Sequence, residues 1–176
     1  MLIGRYFAKK NAAHNRKIEI RGYIRSQRDE PAASMKSGCS TVSKCGCEAI
    51  ACYHALLTLG REQPLFKVME VTSACGLLLF GLWGTDPHAL PRICKRLGLR
   101  YRRYRRKHFS EISETVVLYA YWNPRFRGIH TVELHRTPLG VVVTNLGALR
   151  YRTFPTMEEA LCAIDTPRTI LCLGIA

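Results

Sequence analysis

The feature that most constrains the fold is a change of periodicity near residue 99. Before it, apolar residues recur at helical spacing; after it, they alternate or run continuously, as in strands. Ala49, Ile50, Tyr53, Leu56 and Leu57 fall at i, i+1, i+4, i+7 and i+8, which lays one apolar stripe along a helix. Gly60 stops that helix, and Pro64 opens a second that runs to about Gly76. Thr85-Asp86-Pro87 reads as a third helix start and Gly98 as its end. Pro91 removes one backbone hydrogen bond there, which predicts a kink or a short first turn. Downstream, Val116 to Trp122 reads as a strand. Ile129 to Arg136 and Val141 to Asn145 form a hairpin over residues 137–140, and Leu149 to Thr153 continue the meander. Thr156 and Glu159 make a capping box for a helix through Ile164, and Thr169 to Ile175 is a continuously apolar last strand. Helices first and an antiparallel sheet second define an α+β class. Residues 1–35 read as a basic N-terminal arm with one strand-like run, Lys17 to Tyr23, and residues 36–176 as the folded domain.

Charge narrows the partners. The 27 Lys and Arg outnumber 13 Asp and Glu, a formal net charge of +14, which favours nucleic acid, an acidic peptide or an anionic membrane surface. The first residues lack the apolar run of a secretory signal. The longest apolar stretch, Ala74 to Trp83, is too short to span a bilayer. The expectation is a cytoplasmic protein without a membrane span. Its eight cysteines are then expected to be reduced, with Cys75, Cys94, Cys162 and Cys172 packed as small hydrophobes. Cys39, Cys45, Cys47 and Cys52 crowd together and need another reason.

Cys47 sits where a glycine- and cysteine-rich loop becomes the helix. Unpaired N–H groups at a helix start favour thiolate, the nucleophilic form. Gly46 before it permits close approach of a substrate. A cysteine nucleophile needs a base and a group that holds the base. Of the six histidines, His130 alternates with Val132 and Leu134 and opens a strand, whereas His135 alternates with Glu133 and Thr131 and is expected to face solvent. With a turn over residues 137–140, Asn145 lies opposite Val132 on the face of His130, where its amide can accept the imidazole N–H. The competing readings are a core histidine at 130 and a simple turn at Asn145-Leu146-Gly147.

The stretch from Cys47-Glu48-Ala49-Ile50 to Leu59-Gly60 resembles papain-like cysteine peptidases, especially the bacterial subgroup that cleaves bacteriocin leader peptides. Gly84-Thr85-Asp86-Pro87 through Leu97-Gly98 resembles their second-helix motif, and His130 with Asn145 fifteen residues on resembles their base and its partner. The likeness spans about residues 38–147. It implies a papain-like fold with a Cys47–His130–Asn145 triad, a peptide or protein substrate and no cofactor or metal. Two departures stand out. Cys45-Gly46 also matches the family's Cys-Gly, which keeps Cys45 as an alternative nucleophile. Thr41 stands where the family has an oxyanion-hole glutamine. The implied chemistry includes peptide cleavage, other amide hydrolysis or acyl transfer, in an active enzyme or a degenerate relative that only binds.

Two rival classes remain. Cys39, Cys45, Cys47 and Cys52, with His54 near, supply zinc ligands by type but lack the usual C-x2–4-C knuckle. Arg100 to Lys107 interleaves five arginines and a lysine with Tyr101 and Tyr104, a pattern suited to phosphates and bases and equally to a solvated edge strand. In the hydrolase reading, Arg102, Arg103, Arg105 and Arg106 steer acidic substrates to the cleft.

Overall fold

A computed structural model describes residues 2–123, 128–146, 151–164 and 169–176. The N-terminal arm begins as a helix, α1 (Leu2–Asn15). Its buried positions are Gly4, Phe7 and Asn15, so no aliphatic stripe marks it. A Cβ at Gly4 would lie 2.3 Å from the Ser73 carbonyl oxygen, so glycine is what lets the helix approach its neighbour. Asn15 acts like a strand partner: its amide donates to the Lys36 carbonyl (2.9 Å) and accepts from the Lys36 N–H (2.8 Å). Lys17 to Tyr23 form no strand. Ile18 and Ile20 tuck against the core from an irregular segment instead.

A two-residue hairpin, β1 (Lys36–Ser37) and β2 (Ser40–Thr41), leads into the short helix α2 (Val42–Cys45) and then α3 (Cys47–Thr58). Gly46 joins them, because a Cβ there would fall 2.5 Å from the Val42 side chain and 2.8 Å from its backbone. Helix α3 is buried from Glu48 to Leu56 on every side, not along one stripe, which marks a central helix. Gly60 follows in the left-handed region, φ 65°. Helix α4 (Leu65–Gly76) packs against α1 and α3. Asp86 Oδ1 accepts from the His88 N–H, and a 3-10 turn over Pro87–Ala89 precedes α5 (Leu90–Arg96), the short first turn expected around Pro91.

The second half is a six-stranded antiparallel sheet: β3 (Tyr101–Tyr104), β4 (Val116–Asn123), β5 (Gly128–Thr137), β6 (Gly140–Thr144), β7 (Tyr151–Phe154) and β8 (Thr169–Ile175). Its order is β3-β8-β4-β5-β6-β7. The β5–β6 hairpin turns where the sequence places it, pairing Thr137 with Gly140 and Glu133 with Thr144. The expected strand start at Leu149, and Gly147 of the expected turn, lie outside the described residues. Helix α6 (Met157–Ile164) opens with the capping box: Glu159 N–H donates to Thr156 Oγ1, which donates to Glu159 Oε1.

The sheet is covered on both faces. Val116, Leu118, Ala120, Leu171 and Leu173 pack with α3, α4 and α5. Val117, Tyr119, Val132, Leu134, Val141 and Val143 pack with α6 and Phe109. The fold is therefore α+β, with α3, the helix that Cys47 opens, on one face of the sheet. Among the described residues, no helix is long and apolar enough to cross a membrane.

Candidate functional site

Cys47 is the first residue of α3, and α3 lies on β5. Part of Cys47 remains exposed, yet its thiol is pushed above the ordinary range by burial. Hydrogen bonding from the Thr131 main chain and hydroxyl, and from the N–H groups of Glu48 and Cys47, opposes that push and loses to it. The helix start thus favours thiolate as expected, but desolvation outweighs it and the resting group is a thiol.

His130 enters β5 two residues after its start and is buried. Its Nε2 lies 2.7 Å from the Asn145 main-chain oxygen. A carbonyl only accepts, so Nε2 carries the hydrogen and Nδ1 keeps the lone pair. Burial lowers the imidazole pKa, opposed by that hydrogen bond, so the ring is neutral at neutral pH. Tyr121, directly across the ladder, packs its ring edge-on to His130, with centroids 5.9 Å apart. Its hydroxyl is pushed up to about 12, first by burial and also by nearby Cys47. Tyr121 and Thr131 therefore link the surroundings of the thiol to those of the ring.

Asn145 does meet His130, but through its carbonyl rather than its amide. It sits just past β6 in the left-handed region, φ 57°, a conformation asparagine tolerates. Its Oδ1 accepts from the Gln27 N–H at 3.0 Å, and Gln27 Nε2 donates to the Ser43 carbonyl at 3.0 Å. An N–H can only donate, so the amide orientation is fixed. Asn145 Nδ2 is left buried without a partner among the described residues. One residue thus ties the N-terminal arm, the sheet end and the His130 ring together. Sequence spacing hides Gln27, twenty residues upstream of Cys47.

Cys45 points elsewhere. Its thiol donates to the Thr41 carbonyl (3.2 Å) and the Ser37 carbonyl (3.8 Å), and burial pushes its pKa up. Thr41 precedes α2, and its side chain makes no cap bond to that helix. Cys39 is exposed and Cys52 is buried in the core, so the four clustered cysteines point into different surroundings. Among the described residues, no three His, Cys, Asp or Glu are grouped to hold a metal ion. Cys162, expected in the core, is exposed on α6.

The basic run forms β3 and the turn after it, at an edge of the sheet. Arg102, Arg103, Arg105, Lys107, His108 and Glu111 line a cleft of about 300 Å³ there, and Arg106 is exposed beside it. Strands β8 and β4 separate β3 from β5, roughly 14 Å at the usual strand spacing. That exceeds the screening length of about 8 Å at physiological salt, so the field of these arginines reaches β5 only at low ionic strength.

The face carrying Thr131, Glu133 and His135 was expected to meet solvent. It meets α3 instead. Glu133 is fully buried and accepts from Thr58 Oγ1 (3.1 Å), Thr144 Oγ1 (3.1 Å) and His135 Nδ1 (2.9 Å). His54 accepts the Ile24 N–H at Nε2 (2.9 Å), which leaves its Nδ1–H to donate to Thr144 Oγ1 (2.8 Å). His135 stacks on Tyr23, 5.5 Å between centroids. Each polar group answers another, which is what permits such a set in a core.

Glu48 is the exception. It is buried beside Cys47, its Oε1 has no partner among the described residues, and its carboxyl is pushed well above the usual carboxylate range, first by burial and then by Cys47 and Asp86. The native state therefore holds a proton that the unfolded chain releases above its ordinary pKa. That contribution to stability is full at acid pH and is lost as pH rises. Glu48→Gln, a neutral isostere, is expected to gain stability relative to wild type as pH rises from 5 to 8 in urea unfolding. An unchanged difference between the two proteins across that range would mean that Glu48 is ionised in the fold.

No family model matches the chain, and no curated protein matches its sequence.

Proposed function

We propose that this chain is a papain-like cysteine hydrolase acting on a peptide or other amide, with Cys47 as nucleophile, His130 as base and Asn145 as the residue that holds the base. The observation that carries the reading is the junction of α3 and β5. The thiol at the helix start meets Thr131, the next residue in the chain after His130, and the imidazole Nε2 is tied to the Asn145 carbonyl.

The resting pair in this reading is neutral thiol and neutral imidazole. As sulfur attacks the substrate carbonyl carbon, the thiol proton passes to His130 Nδ1. The tetrahedral oxyanion forms beside the Cys47 N–H, with the Thr41 hydroxyl as the second candidate donor. The imidazolium then gives its proton to the departing amine, leaving a thioester on Cys47. Water, deprotonated by His130, cleaves the thioester and regenerates the thiol. Asn145 keeps the proton on Nε2, so the basic nitrogen is always Nδ1.

The test uses the eight free cysteines as their own ruler. Under limiting iodoacetamide near pH 7, Cys47 is expected to be alkylated faster than the exposed Cys39 and Cys162, as read by peptide mass spectrometry. Cys45, held between two carbonyls, is expected to lag. Cys45 reacting first would move the nucleophile by two residues, and Cys47 trailing the exposed thiols would remove it.

A further inference from the structure

We propose that the face formed by α1 and the loop at residues 77–84 docks on the surface of anionic membranes. Among the described residues, eleven large hydrophobic side chains are exposed, and seven of them lie here: Ile3, Tyr6, Leu78, Leu79, Phe80, Leu82 and Trp83. Trp83 is 77% exposed and Leu82 65%. A cluster of that kind on one face marks an interaction surface.

Ile3, Tyr6, Leu78, Leu79 and Phe80 form one patch, and Leu82 and Trp83 follow in the same loop. Ile3 shares a cleft of about 450 Å³ with Leu77, Leu78, Leu79 and Phe80. Phe7 and Phe80 meet edge to face at 6.3 Å, and Tyr6 adjoins Phe7 at 5.3 Å. The loop is clamped in place. The Phe80 carbonyl accepts from the Cys39 N–H (2.7 Å), and the Leu78 N–H donates to Gly84 (2.9 Å). Leu79 and Phe80 hold left-handed backbones, φ 43° and 61°, which side-chain-bearing residues adopt only when the surroundings impose them. A Cβ at Gly38 would strike the Phe80 oxygen at 2.0 Å. The apolar tips are thus presented by a fixed turn.

Charge selects the occupant. Helix α1 exposes Arg5, Lys9 and Lys10 and contains no acidic residue, and residues 71–85 contain no charge of either sign. Lys10 Nζ lies 5.8 Å from the Tyr6 ring centroid and 5.9 Å from that of Phe7, so the cations border the apolar tips. Among the described residues, Asp86 is the one carboxylate lining the cleft, and it caps the turn after the loop. Apolar and aromatic tips ringed by cations suit the interface of a bilayer carrying anionic headgroups. A second copy docked face to face would set these cations against themselves. A bound peptide side chain would fill the cleft and leave Leu82 and Trp83 in water. The proposal is independent of any chemistry at Cys47.

The experiment is cosedimentation of the full chain with phosphatidylcholine vesicles, with and without phosphatidylglycerol. Wild type is expected to pellet with the phosphatidylglycerol vesicles only. Leu82→Asp and Trp83→Asp, both at exposed positions, are expected to cut the bound fraction about tenfold or more, and Lys9→Glu with Lys10→Glu to cut it as well. Arg102→Glu with Arg103→Glu, on the remote edge strand, is the control for bulk charge and is expected to keep most of the binding. No binding by wild type overturns the proposal. So does binding that survives the loop changes, or that falls as far with the edge-strand control. A sedimentation coefficient that depends on concentration in wild type and not in Trp83→Asp would assign the patch to a second copy instead.

Discussion

Replacing His54 by Gln is expected to flatten the acid side of the stability profile. His54 is fully buried, and burial lowers its pKa to about 3, with His135 adding to the effect. The unfolded chain binds a proton at this position below about pH 6.5, and the native chain does not. Stability from this group is therefore complete above pH 6.5 and is lost progressively as pH falls. Between 6.5 and about 3 the loss is roughly 5 kcal/mol, at about 1.4 kcal/mol per pH unit. That approaches the whole stability of an ordinary domain, so acid unfolding is expected well before the limit is reached. In urea titrations from pH 7 downward, wild type should lose stability at about that slope, while His54→Gln starts lower and falls less. Parallel profiles for the two proteins would show that His54 does not remain neutral in the fold.

His130→Ala is expected to change how Cys47 reactivity depends on pH, more than it changes the fold. In the proposed reading, with His130 as the base for a raised Cys47 thiol, wild-type alkylation at Cys47 should rise with pH as the imidazole loses its proton, below the ordinary 6.5. It should then level off and rise again only when the thiol itself ionises, above its ordinary 9.0. His130→Ala should lose the first step and keep the second, a drop of about a hundredfold near pH 7 for a base of this kind. Exposed Cys162 serves as the internal reference. An unchanged first step in the folded variant would return His130 to a packing role.

The elements legible in the sequence were those fixed by local chemistry. Pro64, Gly60 and Gly98 bracket helices, Asp86 and Thr156 cap them, and the turn at 137–140 sets the register that brings Asn145 to the His130 end of β5. Helix α1 was hidden because it packs through Gly4, Phe7 and Asn15, which make no aliphatic stripe. The polar face of β5 was misread for a different reason. Alternation separates two faces of a strand but does not say that both are covered, and here α3 covers one and α6 the other. Thr131, Glu133 and His135 look solvated until His54, Thr58 and Thr144 arrive from elsewhere in the chain. At the site, spacing brought His130 and Asn145 together but could not show which atom of Asn145 would make the bond, because that depends on one left-handed residue.

The place of β8 has a consequence for biogenesis. Residues 169–175 lie between β3 and β4, both made much earlier. During synthesis β4 to β6 can already pair as a meander, but β3 has no partner until residue 175 has cleared the ribosome. Until then the arginine-rich segment and the inner edge of β4 both wait with open hydrogen-bonding groups, and both apolar faces of the sheet lack the side chains of β8, Leu171 and Leu173 on one and Cys172 on the other. Closure of this sheet therefore waits on residues 169–175, the last of its strands in chain order and the one that joins β3 to the rest.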